Sequence, residues 1–153
     1  MDDLVVVGER RLRAAGKRIT PQRKLVLAIL AQASRTQQAG SPASGHLDAY
    51  DIYERGRRQD ASLSLSTVYR TLSVLKDAGV VHELHLDGEH HHYELDSKDK
   101  HFHLICLACG RVIEVDSAAF ADAAMTASEA HGFEIIGTQV ELVGYCVDCR
   151  QHR

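Results

Sequence analysis

Apolar residues recur at helical spacing in the first half of the chain, whereas in much of the second half they alternate with polar residues. The helical spacing predicts four helices. The second has the clearest start, because Thr20 is a favoured N-cap and Pro21 is a favoured first helical residue. Gly79 is the predicted end of the fourth helix. The helices are predicted within residues 9–16, from Pro21 up to a polar loop at 34–45, at 48–58 and at 64–79.

Two segments of alternating polarity follow the fourth helix, at residues 80–86 and 90–95. Asp87-Gly88 between them is a strong two-residue hairpin turn, so together they predict a two-stranded wing. Helices followed by such a wing make a winged helix-turn-helix domain, which we place at residues 1–95.

The rest of the chain predicts a smaller domain at residues 101–153, after a charged hinge at 96–100. Its one helix is expected to turn Phe120, Ala124 and Ala127 inward. So small a sheet is marginal alone, and zinc and dimerisation are expected to support it. The predicted class is α+β, with an N-terminal winged helix-turn-helix domain followed by a small α/β dimerisation domain. The strands are predicted at 102–105, 112–115 and 133–142, and the helix from 116 or 117 to 132.

Charge is distributed unevenly along a chain whose net charge is only −3. Residues 10–81 contain 13 lysines and arginines against 5 acidic residues, and residues 82–153 contain 5 against 13. A basic first half suits contact with a polyanion, although a dipolar surface without function is an open alternative. The sequence has 44% hydrophobic and 25% charged residues, no apolar run long enough to span a membrane and no signal peptide. The expected location is therefore cytoplasmic, with no membrane partner.

The outer face of the fourth predicted helix combines small hydroxyl groups, an aromatic ring and a guanidinium group. These residue types suit a helix that lies in a DNA major groove. For Tyr69 and Arg70, an ordinary exposed helix face is the alternative. The candidate DNA-binding residues of this helix are Ser66, Thr67, Tyr69 and Arg70.

All four cysteines of the chain lie in two Cys-x-x-Cys pairs, Cys106 with Cys109 and Cys146 with Cys149. Each pair can supply two thiolates to a tetrahedral zinc ion, so two pairs complete one structural zinc site. We predict this site rather than disulfides. A thioredoxin-like redox pair would need a βαβ context, and a zinc deaminase would need His-x-Glu and Pro-Cys-x-x-Cys motifs that are not in place.

Histidine is concentrated too, because seven of the ten fall between His82 and His103. In an extended segment, His101 and His103 lie on one face, where two imidazoles can reach one metal ion. A metal-dependent hydrolase is only a remote alternative. Such an enzyme would need an open coordination position and a general base, and the sequence shows no nucleophile motif. We therefore predict that the protein is not an enzyme.

Three segments together resemble the ferric uptake regulator (Fur) family of metal-responsive bacterial repressors. They are residues 12–23 (LRAAGKRITPQR), 65–72 (LSTVYRTL) and 101–114 (HxHLICxxCGxVIE). The resemblance runs from about residue 9 to residue 149. It implies a homodimer that binds AT-rich inverted repeats in double-stranded DNA, with a regulatory metal clamped between the DNA-binding and dimerisation domains.

The resemblance also implies roles for individual residues. The structural zinc falls on the four cysteines. For DNA, Tyr69 would contact thymine methyl groups, Arg70 would help to read bases or phosphates, and Arg18 would enter the minor groove, where a narrow AT-rich groove attracts arginine. The regulatory metal falls on His46, Glu94, His101, His103 and Glu114.

Three imidazoles and two carboxylates suit Fe(II) or Mn(II), whereas a zinc sensor would more naturally use a thiolate. The resemblance therefore favours a repressor that senses Fe(II) and controls iron-uptake or metal-homeostasis genes, with Mn(II) or Zn(II) as alternative regulatory ions. Zinc, manganese, nickel and peroxide sensors of the same family are the alternatives, although the peroxide-sensing branch has aspartates where Glu94 and Glu114 stand here. A further metal site of many relatives is expected to be absent, because Lys100 and Phe102 occupy its positions.

The wing carries His90 and His92, which alternate in sequence and are a possible additional metal site. The nickel-sensing branch has a histidine-rich site in this region. Solvated polar residues on the wing are the alternative.

Overall fold

A computed structural model of the protein describes residues 3–35, 46–86, 90–96, 101–116, 118–135 and 140–152. These residues form two compact units, the first ending at Asp96 and the second beginning at His101. No described helix is long and apolar enough to cross a membrane.

The first unit contains four helices and a three-stranded antiparallel sheet of order β1-β3-β2. Its helices pack around a core in which Leu27, Leu30, Ile52 and Leu72 have no more than 1% of their surface exposed. The elements are α1 (Asp3–Ala14), α2 (Pro21–Arg35), β1 (Leu47–Asp48), α3 (Ala49–Arg57), α4 (Leu65–Asp77), β2 (Val81–Leu86) and β3 (His90–Leu95).

Side-chain caps fix where three of these helices begin. The Thr20 hydroxyl accepts a hydrogen bond from the Arg23 N–H at 3.2 Å, Asp48 accepts from the Asp51 N–H at 2.7 Å, and Ser64 accepts from the Thr67 N–H at 3.2 Å. Each bond satisfies an N–H group that the first helical turn leaves without a backbone acceptor. At the other end of α4, Gly79 adopts a φ of 65° that favours glycine and turns the chain into β2.

The second unit is a three-stranded mixed sheet of order β5-β4-β6 with one long helix. The ring centroids of Phe102 and Phe120 lie 4.7 Å apart, and this contact packs the helix against the central strand. The elements are β4 (His101–Cys106), β5 (Val112–Asp116), α5 (Ala118–His131), β6 (Glu141–Gly144) and α6 (Val147–Arg150).

The α+β class is confirmed, with a winged helix-turn-helix unit followed by a small α/β unit. The first helix is longer than expected and begins at Asp3, because Leu4 and Val5 also pack against the core. The predicted strand at 133–142 is wrong in its first part, since residues 133–135 form no strand and β6 begins at Glu141. Ala127 was expected to face inward but is exposed. The predicted turn at Asp87-Gly88 lies outside the described residues.

Candidate metal centres and nucleic-acid interface

The four cysteine sulfurs converge at one end of the second unit's sheet. β4 ends at Cys106, and its parallel neighbour β6 ends at Gly144, which is directly beside Cys106 in the register. The carboxyl ends of parallel strands meet at the same edge, so the two Cys-x-x-Cys segments follow these strands side by side. All four sulfurs lie within 4.8 Å of one another, and the cysteines are free thiols.

This arrangement fits a tetrahedral zinc ion. The Cys109 and Cys146 sulfurs are 3.8 Å apart. A tetrahedron with Zn–S bonds of about 2.3 Å separates its sulfurs by about 3.8 Å. The chemistry of the donor set agrees with the geometry, because four thiolates and no other ligand are typical of structural zinc sites.

Hydrogen bonds within the two cysteine loops shift the pKa values of two of the thiols in opposite directions. The pKa of Cys106 is lowered to about 6, chiefly because the backbone N–H groups of Cys146 and Cys109 donate to its sulfur, the first at 3.3 Å. The pKa of Cys149 is raised to about 12, chiefly by its contacts with the Cys146 and Cys109 sulfurs. Four sulfurs this close repel one another as thiolates, so a bound cation is what allows all four to carry negative charge.

The predicted regulatory ligands of the first unit are a contacting pair. His46 immediately precedes β1, which pairs with β3, and Glu94 lies near the end of β3. The His46 Nδ1 and Glu94 Oε2 atoms are 3.2 Å apart, and the two residues are only 8% and 6% exposed. A carboxylate so well buried needs a cationic or hydrogen-bonding partner, which an imidazole or a metal ion can supply.

The predicted regulatory ligands of the second unit lie on its sheet. His103 of β4 is directly opposite Glu114 of β5, so both side chains leave the same face of the sheet. His103 is 3% exposed. His101 is two residues earlier in β4 and is described here by its backbone only.

Glu141, which was not predicted as a ligand from the sequence, lies opposite His103 on the other side of β4. Residues Glu114, His103 and Glu141 thus form one row across the three strands. The alternation of polar and apolar residues near β6 is the one sequence signal that indicates which face of the strand Glu141 lies on. The parallel pairing that creates it is non-local and cannot be predicted from that alternation.

The wing histidines lie on β3, where His92 is partly exposed and His90 is described by its backbone only. His92 is opposite Leu84 of β2 and Asp48 of β1. It shares its face of the strand with Glu94, two residues away. The proposed extra metal site at His90 and His92 stays a prediction.

The predicted DNA-contacting residues of α4 lie on the side away from the core. Tyr69 is 54% exposed and Arg70 is exposed, whereas Val68, Leu72 and Leu75 are buried. Ser66 is exposed and Thr67 is partly exposed. The helical period of 3.6 residues therefore separates an apolar inner face from a polar outer face.

The start of α2 borders the same surface. A cavity of about 540 Å³ separates it from α4, and its lining includes Gln22, Arg23, Thr67 and Arg70. Arg18 is exposed in the segment before α2, and its carbonyl oxygen accepts a hydrogen bond from the Arg23 guanidinium. The surface thus joins a helix N-terminus, arginines and hydroxyls, groups that bind phosphates and base edges.

The sequence and fold are similar to those of known proteins. A family model described as the ferric uptake regulator family matches residues 14–143. The ferric uptake regulation protein of Synechococcus elongatus is 35% identical over 141 residues, which are 92% of this chain and 90% of that protein. The ferric uptake regulator of Pseudomonas aeruginosa, solved with manganese, is 29% identical with a TM-score of 0.76 over 92% of this chain and 98% of its own. A zinc-bound manganese uptake regulator is 30% identical with a TM-score of 0.61 over 92% and 98%.

Proposed function

Because the chain belongs to the ferric uptake regulator family of transcription regulators, which are not enzymes, we propose that it is a DNA-binding repressor activated by Fe(II). One observation carries the proposal. Its sequence-predicted regulatory ligands include two imidazole and carboxylate pairs, His46 with Glu94 and His103 with Glu114. Three of these four side chains, those of His46, Glu94 and His103, are buried, and a protein that only binds DNA has no need to bury such groups.

The proposed regulatory ion binds to these four residues together with His101. Nitrogen and oxygen donors suit Fe(II) and Mn(II), and all four cysteines already lie together in the second unit, where we propose that they bind a structural Zn(II). The chain has no fifth cysteine to serve a zinc sensor. The ion acts by binding one arrangement of the protein more tightly than another, and the favoured arrangement is the one that binds DNA.

We propose that the protein acts as a homodimer through the sheet of the second unit. Leu104 is directly opposite Ile113 and Leu142, and these side chains are 38%, 36% and 43% exposed. An apolar row across three strands is a surface that a second copy can cover. A dimer presents two equivalent recognition helices, which suits an AT-rich inverted repeat. Sedimentation velocity of the zinc-loaded protein should show twice the 16.9 kDa chain mass, and a monomer would rule this out.

The function is tested by anaerobic binding to a palindromic AT-rich duplex at fixed salt, with Fe(II), Mn(II), Zn(II) and Ni(II) titrated separately. Activation by Fe(II) and Mn(II) at micromolar levels, with Zn(II) no better, supports an iron sensor. Stronger activation by Zn(II) or Ni(II) at far lower levels assigns the protein to a sibling sensor of the family. If metal increases binding to none of the duplexes, the protein is not a metal-responsive repressor. A repressor must reach the chromosome, so we infer a cytoplasmic location.

Tyr69→Ala should reduce discrimination between operator and random DNA by about 1–3 kcal/mol, because Tyr69 is proposed to contact base edges rather than phosphates. Fluorescence anisotropy with both duplexes at one salt concentration measures this difference. Tyr50→Ala is a matched control, since Tyr50 is 58% exposed on α3 of the same unit. Equal weakening on both duplexes would show that Tyr69 does not read sequence.

A further inference from the structure

Arg111 is held next to the first cysteine loop by its own backbone. Its carbonyl oxygen accepts a hydrogen bond from the Cys106 N–H at 2.9 Å, and the Gly110 N–H donates to the Cys106 carbonyl at 2.9 Å. Gly110 has a φ of 68°, a left-handed conformation that favours glycine and turns the chain back towards β5. The position of the Arg111 side chain is therefore set by the same turn that positions Cys106 and Cys109.

The Arg111 side chain reaches the second cysteine loop. Its Nη2 atom lies 3.1 Å from Oδ2 of Asp148, which stands between Cys146 and Cys149. The Arg111 side chain is 31% exposed and Asp148 is 66% exposed. A salt bridge this open to solvent adds little stability by itself, but it directs the guanidinium group across both loops.

A second feature of Arg111 points to the sulfurs. Its Nε atom is buried and, within the described part of the chain, has no hydrogen-bond acceptor. A buried N–H without an acceptor is costly, and negative charge on the two cysteine loops that the Arg111 side chain joins can offset that cost.

We propose that Arg111 is a positioning residue for the four-cysteine centre, whose guanidinium group offsets the charge of the thiolates and protects them from attack. This inference rests on the proposed structural zinc. Four thiolates around one Zn(II) carry a net charge of −2, and a fixed cation beside them withdraws electron density from the sulfurs. Sulfurs with less electron density react more slowly as nucleophiles.

Alkylation with iodoacetamide measures this protection. In that reaction a zinc-bound sulfur attacks the methylene carbon, a C–S bond forms, iodide leaves, and zinc loses a ligand. A colorimetric zinc chelator reports the metal released, and mass spectrometry counts the alkylated cysteines. For Arg111→Gln we expect zinc release about tenfold faster than in the unaltered protein, a size typical of residues that support metal ligands. Arg111→Lys, which keeps the charge, should recover part of the protection.

Arg150→Gln is the matched control. Arg150 is exposed and directly follows Cys149, and the substitution removes the same charge as Arg111→Gln. The rate of zinc release from this variant should equal that of the unaltered protein. If Arg111→Gln does not fold, the rate of zinc release from Arg111→Lys decides, and it must exceed the rate of the control.

The Co(II)-substituted protein supplies a readout that a merely structural role would not move. More electron-rich sulfurs transfer charge to the metal at lower energy, so the sulfur-to-cobalt band should shift to longer wavelength in Arg111→Gln and stay in place in Arg150→Gln. One tightly bound zinc per chain with equal rates and bands in both variants would overturn the role of Arg111 alone. An unaltered protein that binds no zinc would overturn the structural site itself.

Discussion

Cys109→Ala should leave the protein without its structural zinc and unfold the second unit. Zinc binding to structural sites of this kind contributes roughly 10–16 kcal/mol, and much of it is folding free energy. Apolar burial supports this unit only weakly, because among its described apolar residues only Ile105, Cys106 and Val112 are buried. Losing one thiolate breaks the tetrahedron and leaves three sulfurs without the cation that offsets their charge.

Hydrogen exchange and metal analysis check this outcome together. Zinc content should fall from one ion per chain to none, and amides of β4 and β5 should lose protection. Amides of α2 and α4 should keep theirs, because the core of the first unit contains no cysteine. Ala108→Ser changes the exposed neighbour within the same loop and should retain zinc. A Cys109→Ala protein with full zinc and normal protection would show that the four cysteines are not the ligands.

Features coded within a few residues of sequence were predictable. Thr20 was predicted as an N-cap, and helices were predicted to begin at Asp48 and Ser64. In the structure each of the three accepts a hydrogen bond from an N–H three residues on. Such caps depend on local geometry alone. The two Cys-x-x-Cys loops are equally local, and the structure brings all four sulfurs together as the pairs suggested.

Features decided by pairing between distant segments were not predictable. β1 has only two residues, which is too short for any alternation to show, and it exists because Leu47 pairs with Tyr93. Residues 133–135 alternate like a strand, yet Phe133 is 71% exposed and the segment pairs with no described strand. Alternation of polar and apolar residues indicates which side chains would share a face of a strand. Whether the strand forms depends on the segments available to pair with it by hydrogen bonds.

The candidate metal sites also combine features that could be predicted from the sequence with features that could not. The ligand types of His46, Glu94, His103 and Glu114 came from a family resemblance, and the structure adds that the first two are in contact and the last two are opposite each other. The contact of Arg111 with Asp148 has no sequence signal, because 36 residues lie between them and each occupies an unspecified position of its motif. A charged residue that supports a metal site through contact with a distant residue can be identified only from the structure.

His103→Ala should abolish the increase in operator affinity that metal produces, while binding without metal stays unchanged. His103 is buried on the central strand, so the sheet fixes the position of the imidazole that the substitution removes. Loss of one ligand should weaken the regulatory metal by at least about 100-fold, since even residues that only support ligands change affinity by about 10- to 100-fold. An ion can shift the protein towards its DNA-binding arrangement only by the difference in its affinity for the two arrangements.

Two titrations separate this outcome from simple loss of folding. Metal binding is followed directly by isothermal calorimetry, and operator binding is followed by anisotropy at fixed salt, with zinc content checked in each sample. His131→Ala is the matched control, because it removes an exposed imidazole at the end of α5 in the same unit. It should retain both affinities. A His103→Ala protein that still gains operator affinity with Fe(II) would place the regulatory ion elsewhere, because linkage requires metal binding and DNA binding to change together.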